Sequence, residues 1–179
     1  MVRFPAMRHS DMDAALQAVY DQIPEIPDCQ GRCWVSCGPI PMTTRERQRI
    51  RQAGFRITPV REAVTQEGDY FCEALTQDKR CAVYELRPLV CRLWGSIARL
   101  KCPYGCTPRG GWLSNKEAAR LVREVDEIGG REDAAPAEAA YTRDVLKMLL
   151  TMITVDGRRG ERRRIENATI PAAFHKGAQ

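Results

Sequence analysis

Apolar positions recur at helical spacing in some stretches of the chain and lose all regularity in others. Leu16, Val19 and Tyr20 share one face of a helix predicted over 10–20. Ser10 can cap it, Asp11 and Asp13 suit the dipole of its first turn, and Pro24 and Pro27 end regular structure. Thr43-Thr-Arg-Glu46 is a capping box that opens a second helix running to Ala53, with Gly54 able to close it. That helix is strongly basic, and Arg45, Arg47, Arg49 and Arg51 fall at every second position, so they point around it. This predicts a solvated surface, with nucleic-acid contact as the alternative. Ser114-Asn-Lys-Glu117 is another capping box. It opens a helix with Leu121, Val122, Val125 and Ile128 on one face, stopped at Gly129-Gly130. A last helix is predicted from Pro136 through Tyr141, Val145, Leu146, Leu149 and Ile153, with Asp133 as a candidate cap. From Asp156 onward the periodicity is lost.

Between these helices the pattern is short and broken. Phe55 to Val60 alternates weakly, as a short extended piece would, and 66–69 reads as a turn. Residues 73–80 form a polar excursion between Cys72 and Cys81, and Cys81 to Tyr84 suits a buried strand. Pro88 is placed to open a short helix over 89–94, with Gly95 as its stop. The fold expected is therefore mainly α, in a single domain, with a small irregular or short-strand cysteine-rich core. Its parts would be an N-terminal helix in 1–28, a cysteine-cluster metal-binding core in 29–106, a C-terminal helical hairpin in 107–155, and a basic, flexible tail in 156–179.

Composition adds the chemistry. A chain of 179 residues can bury a real core, so eight cysteines are not needed to staple a miniature scaffold. No secretory leader is visible, and the longest apolar stretch, around 148–155, falls far short of the ~20 residues a membrane span requires. A cytoplasmic location is expected. Thiols stay reduced there, and clustered cysteines are metal ligands or catalytic groups sooner than disulfides, with a secreted disulfide framework as the alternative. The net charge of +5 is concentrated in 157–164, where five Arg and one Glu leave a local +4. That segment reads as a solvated tail, and as a nucleic-acid or anionic-lipid contact in the alternative.

The cysteines fall into three groups. Cys29, Cys33 and Cys37 are spaced C-x3-C-x3-C, which on a helix would drift ~40° per step. Gly31, Gly38 and Pro39 make a broken turn an equal reading. Cys72, Cys81 and Cys91 form the second group, with Arg87 and Arg92 flanking Cys91 and able to offset the charge of a thiolate-rich centre. Cys102-Pro-Tyr-Gly-Cys106 is a turn that can bring two sulfurs to one metal. Thiolates are soft ligands suited to zinc or an iron–sulfur cluster, and the spacing does not choose between them. Zinc-ribbon C-x2-C knuckles, H-E-x-x-H, G-x-S-x-G, the radical-SAM spacing and a phosphate-binding Gly loop are all absent. The only histidines, His9 and His175, lie near the ends, where neither suits a buried general base.

The run Cys72…Cys81-Ala-Val-Tyr84-Glu85-Leu-Arg87-Pro88-Leu-Val-Cys91-Arg92 resembles the core of the YkgJ-type cysteine-cluster family of zinc- or iron-chelating domains. Cys29, Cys33 and Cys37 with the helix after them are similar to that family's N-terminal cluster, and Cys102 or Cys106 fits its last cysteine. The family usually shows C-x2-C-x2-C-C, whereas this chain has C-x3-C-x3-C without the adjacent pair. The resemblance covers 29–106 and implies metal chelation, with some relatives resembling iron–sulfur-dependent protein methylases. The reading is a metal-binding protein chelating zinc or an iron–sulfur cluster through Cys29, Cys33, Cys37, Cys72, Cys81, Cys91, Cys102 and Cys106. Two alternatives stand beside it: an iron–sulfur-dependent enzyme acting on a side chain of a protein substrate, and a zinc-stabilised nucleic-acid binder using the basic tail.

Overall fold

The computed structural model describes residues 7–29, 31–38, 40–59 and 71–130. The predicted helix from Pro136 and the basic tail lie outside the described residues, as do Val60 and the turn at 66–69. The described residues contain four α-helices: α1 (His9–Tyr20), α2 (Thr44–Gln52), α3 (Leu89–Leu93) and α4 (Asn115–Gly129). Single 3-10 turns occupy Arg32–Ser36 and Tyr84–Leu86. Extended structure among the described residues is limited to isolated bridges, Leu75 with Cys81, Gly95 with Lys101 and Ile97 with Leu113. The fold is a mainly α single domain around a small, irregular thiol-rich centre.

Local signals set the helix starts. In α2 the Thr43 hydroxyl accepts from the Glu46 amide while the Glu46 carboxylate accepts from the Thr43 amide, and Ser114 and Glu117 do the same for α4. Each box satisfies two amides that a helix start would leave without partners. α1 begins earlier than its sequence suggests. Arg8 takes the cap position and pairs with Asp11 at 3.0 Å, and Ser10 lies inside the first turn. Cys81 to Tyr84 does not form a strand. Cys81 makes one bridge, and the chain then tightens into the 3-10 turn before Pro88.

Two apolar clusters hold these pieces. The larger joins Leu16, Val19 and Tyr20 of α1, Leu89 and Leu93 of α3, Ile97 and Leu100, and Ala118, Leu121 and Val125 of α4. The smaller gathers Met42, Ile50, Ile57, Ala74 and Val83, with Cys72 and Cys81 packed against it. α3 has apolar residues in the larger cluster and stands next in sequence to the 3-10 turn at the edge of the smaller one. The basic face of α2 is not the solvated surface its sequence predicts. Arg45 and Arg47 are 4% and 3% exposed. Asp13 of α1 receives Arg45 through two hydrogen bonds, and the Ile57 carbonyl receives Arg47.

Candidate metal centre

Three separate segments deliver the inner thiols. Cys33 lies in the 3-10 turn that follows Gly31, and Cys37 caps the end of that turn. Gly31 is in the left-handed region at φ +65°, and a Cβ there would stand 3.2 Å from the Arg80 guanidinium, so both conformation and space favour glycine. The Cys37 carbonyl then accepts from the Cys72 amide at 2.9 Å, which docks the second segment on the first. From Cys72 the chain folds into a tight hairpin-like turn. The Ala82 amide donates to the Ala74 carbonyl and the Thr76 amide to the Arg80 carbonyl, both at 2.8 Å, which returns Cys81 beside Leu75. Cys91 is supplied by α3.

Electrostatics shows which sulfurs share a neighbourhood. The Cys37 thiol is pushed up to about 12, first by burial and then by Cys33, Cys72 and Cys81, with Arg87 pulling the other way. Burial pushes the Cys72 thiol up to about 11. A hydrogen bond from the Ala74 amide opposes that rise, while Cys81 and Glu73 add to it. Cys91 is held well above the ordinary thiol value by burial, then by Cys72, Cys37 and Cys81, again with Arg87 opposing. Cys91 therefore feels Cys37, Cys72 and Cys81, Cys37 feels Cys72 and Cys81, and Cys72 feels Cys81, while Cys33 joins through Cys37. Four thiols so close resist ionising together unless a concentrated positive charge stands among them.

The remaining cysteines lie along another strip of the chain. The Cys106 thiol donates to the Asp28 carbonyl at 3.3 Å, next to Cys29, whose own amide donates to Ile26. Cys102 and Cys106 bracket a turn in which the Gly105 amide donates to the Cys102 carbonyl. Gly95 allows the two stretches to meet, since a Cβ on it would fall 2.8 Å from Ile26 Cδ1 and 3.8 Å from Cys102 Cβ. None of the eight cysteines is joined in a disulfide, and Cys29 is the exposed one.

Arg87 and Arg92 take different positions. Arg87 lies 3.4 Å over the Tyr84 ring and donates to the Tyr84 carbonyl, with its charge felt at Cys37 and Cys91. Arg92 donates to the carbonyls of Arg87 and Glu85 and lies 4.4 Å over the Tyr20 ring, fastening the loop before α3 to α1. Sequence reasoning passed over the wider role of Glu46, seen there only as half of a capping box. Its carboxylate also accepts from the Tyr20 hydroxyl at 2.7 Å and the Leu89 amide at 2.8 Å. Those partners are 26 and 43 positions away, so no local pattern announces them.

Among the described residues no three His, Cys, Asp or Glu side chains already stand in the arrangement that captures an ion directly. The donor set itself fits a soft metal: several half-buried thiols, an arginine close by, and no histidine among them. When bound, such a centre supplies structural cross-linking if it is zinc and electron transfer if it is an iron–sulfur cluster.

The fold and its thiols define a small helical domain of the metal-chelating class. The chain belongs to the CxxCxxCC family, described as "Putative zinc- or iron-chelating domain", whose profile matches residues 28–120. That span contains all eight cysteines and reaches into α4, beyond the 29–106 covered by the motif. No curated protein and no solved structure matches the chain.

Proposed function

We propose that this protein holds zinc or an iron–sulfur cluster on an inner ligand set made of Cys37, Cys72, Cys81 and Cys91. The observation that carries the reading is the convergence of their charges on the buried Cys91 thiol. Cys91 feels Cys37, Cys72 and Cys81, Cys37 feels Cys72 and Cys81, and burial disfavours a lone thiolate on Cys37, Cys72 and Cys91. A metal cation reverses that penalty, because it stabilises the ionised sulfurs that the surroundings otherwise resist. Cys33 lies beside this set, and Cys29, Cys102 and Cys106 are the further thiols available to the same or a second centre. Arg87 offsets part of the negative charge that a four-thiolate site retains. Arg92 supports the set by holding the 85–87 loop in place. The reading needs a reducing compartment, for which the cytoplasm is the natural one. Among the described residues no helix is long and apolar enough to cross a membrane.

The test is metal analysis with a visible spectrum after anaerobic purification, on the full chain and on single Cys→Ser variants. Stoichiometric zinc, or iron with broad visible absorption, is expected in the parent chain. Cys72→Ser and Cys91→Ser should lose most of it, and Cys102→Ser should lose less if the inner set stands alone. A folded parent chain containing neither zinc nor iron overturns the reading.

A further inference from the structure

We infer that Glu46 is a positioning residue for the thiol centre, acting through the backbone amide that starts the helix carrying Cys91. The inference rests on the assignment of Cys91 to the metal site.

Glu46 is 2% exposed, an unusual place for a carboxylate, and both its oxygens are engaged. Oε2 accepts from the Thr43 amide at 2.8 Å and the Thr43 hydroxyl at 2.9 Å, which is the work of a capping box. Oε1 does something a capping box does not require. It accepts from the Tyr20 hydroxyl at 2.7 Å and from the Leu89 amide at 2.8 Å. Leu89 is the first residue of α3, and Cys91 stands two positions further along the same five-residue helix. A helix that short has no stability of its own, so its placement is imposed from outside. Its first amide has no partner within the helix and takes one from Glu46.

A second clamp shares the same tyrosine. Arg92 lies over the Tyr20 ring while the Tyr20 hydroxyl is held by Glu46. Its guanidinium also takes the carbonyls of Glu85 and Arg87, so the turn entering α3 is fixed from the other side. α3 is therefore gripped at its first amide and at its fourth side chain, with Cys91 between the two grips. Glu46 acts on the sulfur only through Leu89, and removing it would leave the direction of Cys91 to the Arg92 clamp and the apolar packing of Leu89 and Leu93. Groups that orient a ligand from behind in this way commonly change metal affinity by about 10- to 100-fold when removed.

The comparison is between Glu46→Ala and Asp13→Asn. Both remove an anion that ties α1 to α2, and Asp13 has no hydrogen bond or ion pair to α3. Cobalt(II) added anaerobically to the demetallated full chain is the probe, read as thiolate-to-cobalt absorption and titrated against a competing chelator. Thermal unfolding of each metal-free variant is recorded alongside. Both variants should unfold at lower temperature. Glu46→Ala alone should weaken cobalt binding, by about ten-fold or more, with Asp13→Asn close to the parent. Equal cobalt affinity in the two variants overturns the inference and leaves the metal centre standing. A parent chain that shows no thiolate–cobalt band and carries neither zinc nor iron overturns the metal reading and this inference with it. Glu46→Gln covers the case in which the alanine variant does not fold. It retains one oxygen for four donors, and parent-like cobalt affinity with Leu89 left unbonded would overturn the inference equally.

Discussion

At the scale of single residues, the arginines of α2 show what an isolated charge pattern leaves undetermined. Arg45 and Arg49 both approach Asp13, at 2.5 and 3.6 Å, and Arg45 is almost wholly buried. Alternating arginines predict a solvated helix only if nothing covers it, and the covering group lies 32 positions upstream. Asp13→Asn should therefore lower the free energy of unfolding by about 1.5–3 kcal/mol, the usual range for a hydrogen bond to a charged group, as measured by denaturant titration at pH 7. The hydrogen bond from Arg45 holds the Asp13 carboxyl below the usual carboxylate range, with Arg45 and Arg49 charge adding to it and burial opposing. A depressed folded value means the contribution is complete above the unfolded pKa of about 4 and is lost as pH falls through the folded one. The parent chain should thus lose stability as the pH falls below about 4, and the variant should lose less.

At the scale of elements, the helices were readable because their signals are local. Two capping boxes, a proline before α3 and the Gly129-Gly130 pair are all contained within a few residues of the ends they mark. The strand expected at Cys81 was not realised, because β structure needs a partner that sequence does not locate, and here the partner is a single bridge to Leu75. Gly129 illustrates the same limit. It reads as a stop signal, yet it also closes the seam between α4 and α2. The Thr44 amide donates to the Gly130 carbonyl at 2.9 Å, and a Cβ on Gly129 would fall 2.7 Å from Thr43 Cβ. Gly129→Ala should cost about 1–3 kcal/mol by overpacking, despite the better helix propensity of alanine. Ser114→Ala, which removes only a cap, should cost about 1 kcal/mol. Thermal unfolding of the two variants side by side checks the order.

At the scale of the molecule, metal-binding chemistry was legible in the number and type of thiols, and their grouping in space was not. Equal C-x3-C gaps in the first group give no hint that Cys37 feels the charge of Cys72 and Cys81 while Cys29 lies next to Cys106's partner Asp28. Chain entropy allows many closures of similar length, and the docking of Cys72 on Cys37 selects one. Cys72 and Cys81 also pack against the smaller apolar cluster, so metal and core share an element. Stripping the metal should consequently expose the amides of 71–83 to hydrogen exchange far more than those of α1 and α4, which belong to the larger cluster. Reloading should raise the unfolding temperature in proportion to the logarithm of free metal.

The docking of distant segments on one another has a further outcome. Cys37, Cys72, Cys81 and Cys91 are spaced 35, 9 and 10 positions apart, so an ion held by all four ties three closed rings of chain. A protease that nicks the longest ring should yield fragments that still migrate together under native conditions. Mild denaturant would part them only once a chelator has been added.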